Sequence, residues 1–142
     1  MTRSVLFSAA FVLVSLSGPA LANPEGAPHA AACVAALKAE EAAIAETLKA
    51  GEPVESKLLK VIRSGFAIIG SQYLAGLREA EARRLLEAAE VDFQALPRDT
   101  AEAQQARCLE EGDGIYRRAS AFERSLITNA AQRRIKRMKA AP

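Results

Sequence analysis

The chain of 142 residues has no tryptophan, one histidine, two cysteines and two methionines, and aromatic residues make up only 5% of it. A single histidine, His29, excludes any metal centre built on several imidazoles. Cys-x-x-Cys-His and His-Glu-x-x-His are both absent, which excludes haem attachment and the helical zinc-protease motif. Neither a P-loop nor a Gly-x-Ser-x-Gly elbow occurs. No cofactor is expected, and the chain does not read as an enzyme. Strand-favouring residues are sparse, while Ala, Leu, Glu, Lys and Arg dominate. That composition belongs to helices.

What is present starts at the N-terminus. Arg3 supplies a positive start, Val5 to Leu16 is largely apolar, and Ala20-Leu21-Ala22 is a small-x-small cleavage site. Residues 1–22 therefore read as a secretory signal peptide. The apolar run is shorter than the about 20 residues of a spanning helix. No second run follows it, so no transmembrane segment is expected after cleavage. The rest of the chain is expected to work outside the cytoplasm, and nucleic acid is not an expected partner.

Charge divides the remainder unevenly. From Asn23 to Gly114 there are 10 basic and 16 acidic residues, a net of −6. From Ile115 to Pro142 there are 8 basic residues and one acidic residue, Glu123, a net of +7. A basic end on an acidic body has two readings: a last helix laid against acidic neighbours, or a face for an anionic partner.

Pro24, Gly26 and Pro28 make residues 23–28 a loose leader, followed by one helical domain over 29–139 and a tail at 140–142. Cys33, Leu37, Ile44 and Leu48 share a face of a helix over about 29–50, which Gly51 ends. Leu58, Ile62, Phe66, Ile69 and Tyr73 form the stripe of a second helix over about 54–75. Gly65 and Gly70 inside it predict a close helix neighbour. A third helix is expected over about 78–96, stopped by Pro97. A fourth runs from about Thr100 towards Met138, with Asp99 and Glu102 as its capping box. Gly112-Asp113-Gly114 is expected to interrupt it. Apolar positions such as Phe122 and Leu126 are assigned to its packed side. The fold class is all-α: four or five antiparallel helices in a small bundle or helical-hairpin array.

Two cysteines allow one intramolecular pairing, Cys33 to Cys108, across 75 residues. A catalytic thiol pair is the rival reading, but its usual spacing leaves two residues between the cysteines. A structural disulfide fits an exported chain.

Three candidate surfaces follow. Phe66, Tyr73 and Leu77, rimmed by Gln72 and Arg78, form a possible partner-binding groove. Arg133, Arg134, Lys136, Arg137 and Lys139, with Ile135 and Met138 as apolar contacts, form a possible surface for anionic lipid or polysaccharide. Glu110, Glu111 and Asp113 cluster beside two glycines and are the candidates for acid–base chemistry, with no partner base in view.

Residues 63–94 resemble one tetratricopeptide repeat. Phe66-x-x-Ile69-Gly70-x-x-Tyr73, then Ala82-x-x-x-Leu86 and Ala89, match its pattern of large, small and aromatic positions, without a second copy. Ile69-Gly70-x-x-Tyr73-Leu74-x-Gly76-Leu77, with Cys108-x-x-Glu111-Gly112 and Glu123-Arg124, also resembles uncharacterised small periplasmic helical proteins of Gram-negative bacteria. The first resemblance implies a scaffold for an envelope protein. The second implies a periplasmic, all-helical protein and supplies no catalytic residues.

Overall fold

The computed structural model describes residues 24–142, and the signal-peptide reading of residues 1–22 lies outside them. Five helices occupy the described residues, with no strand among them. They are α1 (Ala27–Lys49), α2 (Glu55–Leu74), α3 (Glu79–Gln94), α4 (Arg98–Arg118) and α5 (Ala121–Ala140).

Two corners are set by glycine. After α1, Gly51 adopts φ 89°, its N–H bonds the Leu48 carbonyl, and the Glu52 N–H bonds that of Thr47. After α2, Gly76 adopts φ 101°, with Gly76 N–H bonded to Tyr73 and Leu77 N–H to Gln72. Both are Schellman turns, which satisfy the last carbonyls of each helix in a conformation that side-chain-bearing residues rarely take.

The core lies where α1 and α2 meet. Cys33, Ala36, Leu37 and Ile44 of α1 pack with Leu58, Val61, Ile62 and Ile68 of α2. Helix α4 adds Cys108, and α5 adds Ala131 and Ile135. Helix α3 buries no residue completely and rests on α1, with Leu86 and Phe93 partly covered. Full burial of a large aliphatic side chain stabilises by about 1.5–3 kcal/mol, so most of the apolar stabilisation resides in the α1–α2 seam.

Several expectations are corrected. The leader is shorter than residues 23–28, because Ala27 is buried and opens α1 with Pro28 in its first turn. Gly65 and Gly70 admit no neighbour: a Cβ at either would meet nothing within 4 Å. Gly112 does instead, since a Cβ there would stand 2.6 Å from the Ser64 carbonyl oxygen. The Gly112-Asp113-Gly114 segment does not split the helix, which runs unbroken to Arg118. The break falls at Ala119-Ser120. There Ser120 Oγ accepts from the Glu123 N–H (3.2 Å), and Glu123 Oε2 accepts from the Ser120 N–H (2.7 Å). The capping box is thus Ser120–Glu123. Asp99 lies inside α4, and the Glu102 carboxylate pairs with Arg98 (2.8 Å).

Candidate functional site

Helices α1, α2 and α3 leave an apolar groove of about 260 Å³ between them. Its floor is small, from Ala27, Ala30 and Ala31 of α1, beside Val34. Ile69 and Tyr73 of α2 form one wall, and Leu85 and Leu86 of α3 form the other. The turn after α2 positions Leu77 at one end, because Gly76 folds the chain back over Gln72. Alanine spacing along α1 explains the depression: with methyl side chains there, α3 has little to interdigitate with.

The groove has few polar groups. Gln72 Oε1 is shielded from solvent and accepts no hydrogen bond within the described chain. Glu79 and Arg83 lie on the α3 side and pair with each other at 3.0 Å. With the Gln72 oxygen closed off from solvent, the surface the groove offers is almost wholly apolar. The volume lies below the usual range of cofactor pockets, about 300–1,000 Å³, so it suits a few side chains.

Of the groove residues expected from sequence, Gln72, Tyr73 and Leu77 are brought together. Phe66 instead packs partly buried against the core, and Arg78 is the exposed residue that precedes α3. Neither lines the groove. The α1 floor and the Leu85–Leu86 wall escaped notice, because alanines and aliphatic residues at helical spacing read as ordinary core.

The carboxylate cluster separates. Glu111 turns to His29 of α1, with His29 Nε2 and Glu111 Oε2 2.8 Å apart. Asp113 receives Arg63 Nη2 at 3.2 Å and Arg117 Nε at 3.3 Å. The Arg63 guanidinium also stacks 4.4 Å from the centre of the Tyr116 ring. Glu110 is exposed. Asp113 is therefore a charge-paired strut between α4 and α2.

The basic C-terminal helix is divided between two sides. Arg134 Nε donates to Glu41 Oε1 at 2.5 Å, and Lys139 pairs with Glu55. Ile135 is only 3% exposed and Met138 packs on the core, so neither is the outward apolar contact expected of it. Arg133, Lys136 and Arg137 stay exposed. Phe122 (71% exposed) and Leu126 (53%), expected to be packed, share their face of α5.

Cys33 and Cys108 form a disulfide with Cα atoms 5.1 Å apart, as the pairing requires. It joins α1 to α4, beside Gln104 and Gln105 side chains that donate to the Ala32 and Ala36 carbonyls. His29 sits over this staple, 3.9 Å from Cys33 Sγ. In the sequence His29 served only to exclude a centre of several imidazoles, although His29 and Cys33 stand one helical turn apart. No protein-family model, curated protein or solved structure matches the chain.

Proposed function

We propose that the protein is a periplasmic interaction module whose α1–α2–α3 groove receives an apolar helical segment of an envelope protein. The groove itself carries the reading: an alanine floor and aliphatic walls with few polar groups. Amphipathic helices dock into such grooves through apolar anchors three and four residues apart. The floor of alanines lets such a helix approach α1 closely. The signal-peptide pattern of residues 1–22 supports export.

The test is a photo-reactive residue introduced at Tyr73 in intact cells, followed by fractionation. A single envelope partner is expected, lost when Leu77→Asp places a charge in the groove. The same probe at Val91, on α3 away from the groove, should capture nothing. Equal capture at both positions would remove the groove from consideration, and recovery of the protein in the cytosol would remove the periplasmic address.

A second reading rests on a separate observation, the outer face of α5. Phe122 and Leu126 are exposed at its start, and Arg133, Lys136 and Arg137 at its end. That face suits an anionic envelope surface: each cation adds about 1 kcal/mol near anionic lipid, and the two apolar side chains enter the headgroup boundary. Binding to anionic vesicles should weaken with salt and with Phe122→Ser. Equal binding to neutral vesicles would rule it out.

A further inference from the structure

Beside the disulfide lies a ligand set of different chemistry. His29 and Cys33 project from successive turns of α1, and Cys108 and Glu111 from successive turns of α4. Cys33 Sγ stands 3.9 Å from His29 Nε2 and 3.9 Å from Glu111 Oε2, which are themselves 2.8 Å apart. Those ligand atoms of His29, Cys33 and Glu111 all lie within 4.8 Å of one another. Cys108 Sγ is one bond from Cys33 Sγ and is the nearest further soft donor to these three.

A zinc tetrahedron with Zn–S of about 2.3 Å and Zn–N and Zn–O of about 2.0–2.1 Å has edges of about 3.4–3.8 Å. Three of the edges required here are already within about 0.6 Å of that range. The other three edges all belong to Cys108, whose side chain must rotate toward His29 and Glu111 once the broken disulfide frees it. Pairs of ligands at i, i+4 and i, i+3 on two packed helices are how helical proteins hold metals. The sulfurs are buried, while His29 (65% exposed) and Glu111 (41%) lie toward solvent, which gives the ion an entry path.

We propose that the protein has a second, reduced state in which Cys33, Cys108, His29 and Glu111 bind a zinc-type divalent cation. Reduction is by a dithiol: it transfers two electrons and two protons to the sulfurs, the Cys33–Cys108 bond breaks, and the dithiol becomes a disulfide. The cation then displaces both thiol protons to solvent, meeting two thiolates, a neutral imidazole and a carboxylate. Two soft sulfurs with imidazole select zinc over magnesium or calcium. In the oxidised protein the sulfurs have no anionic form to offer, so staple and metal exclude each other. The site thus makes the α1–α4 tie covalent under oxidising conditions and metal-dependent under reducing ones. This inference is independent of the groove and of its partner.

The experiment uses the purified protein, oxidised or reduced with a phosphine, titrated with zinc alone and with cobalt alone as a spectroscopic probe. Reduced protein should bind one equivalent, with a thiolate-to-cobalt charge-transfer band and a tetrahedral visible spectrum; oxidised protein should show neither. His29→Ala and Glu111→Ala, which keep both thiols, should each weaken zinc binding at least tenfold. If reduction unfolds the apoprotein, zinc should restore helical dichroism in the native sequence and not in His29→Ala. Failure of the reduced protein to bind zinc, or binding indifferent to both substitutions, overturns the proposal.

Discussion

Helix α4 packs across both α1 and α2, whereas helix α3 rests on α1, and the two seams are built in opposite ways. Helix α4 is tied by a disulfide, by Arg63–Asp113 and by Gly112 against the Ser64 backbone. Helix α3 has no fully buried side chain, and beside its packing on α1 a groove stays open. The difference lies in the residues at the crossing. A glycine lets two backbones approach and exclude space, whereas alanines facing leucines leave a depression that neither helix fills. One seam is closed and the other is open.

The largest test of that contrast removes the staple. Cys33→Ser with Cys108→Ser frees 75 residues of chain separation, which chain-entropy arguments value at about 4 kcal/mol. Native domains hold about 5–15 kcal/mol in total, so the urea midpoint should fall steeply. The open seam should respond less, because nothing covalent crosses it. A midpoint within experimental error of the native one would show that α4 is held by packing alone.

Glycine substitutions give the next largest effect, and its sign differs between sites. Gly112→Ala forces a methyl to 2.6 Å from the Ser64 carbonyl, so a backbone must move. Overpacking of this kind costs about 1–3 kcal/mol, which exceeds the up to about 1 kcal/mol gained in helix propensity. Gly70→Ala meets nothing within 4 Å and keeps only the propensity gain, so it should stabilise by about 0.5–1 kcal/mol. Thermal unfolding of the two variants side by side should move in opposite directions. Movement in one direction would mean that the α2–α4 crossing relaxes freely.

These glycines also show what sequence could convey. The helices themselves were legible, with boundaries within about two residues for α1 to α3, because apolar periodicity and Gly or Pro stops are local signals. Which glycine faces a neighbour is not local. Gly65 and Gly70 sit on a strongly apolar helix and face open space, while Gly112 sits among charges and lies at the crossing. The α4–α5 corner was misplaced for a related reason. It contains neither glycine nor proline, and its only mark is Ser120-x-x-Glu123, outweighed by the Gly-Asp-Gly run upstream. Half of the groove was readable from α2, whose aromatic stripe stands out. The rest comes from α1 alanines that matter only once α3 lies beside them.

The open seam should yield a smaller stability effect and a larger binding effect. Leu86 of α3 is partly covered and lines the groove, so Leu86→Ala should cost about 1 kcal/mol, below the 2–5 kcal/mol of a fully buried leucine. Capture at Tyr73 should nonetheless fall sharply, since a wall of the groove is lost. A stability loss as large as that of Gly112→Ala would erase the distinction between the seams.

The smallest effect lies at the corner where the closed seam hands over to α5. Hydrogen bonds from the Ser120 side chain and backbone hold the Glu123 carboxyl below its ordinary value. A carboxylate with a depressed folded value stabilises above the unfolded value, about 4.3, and loses that contribution as pH falls through the folded one. The cap is exposed, so its loss should fray only the first turn of α5 and leave the disulfide-tied α4 unmoved. Amide chemical shifts of Ser120 and Glu123 should therefore titrate below the ordinary glutamate range, while that of Ser64 at the α2–α4 crossing does not follow them. In Glu123→Gln the same shifts should be flat with pH, because glutamine can cap without ionising. Joint titration of the two regions would mean that α5 and the α2–α4 crossing open as one unit, so that the closed seam extends to the C-terminus.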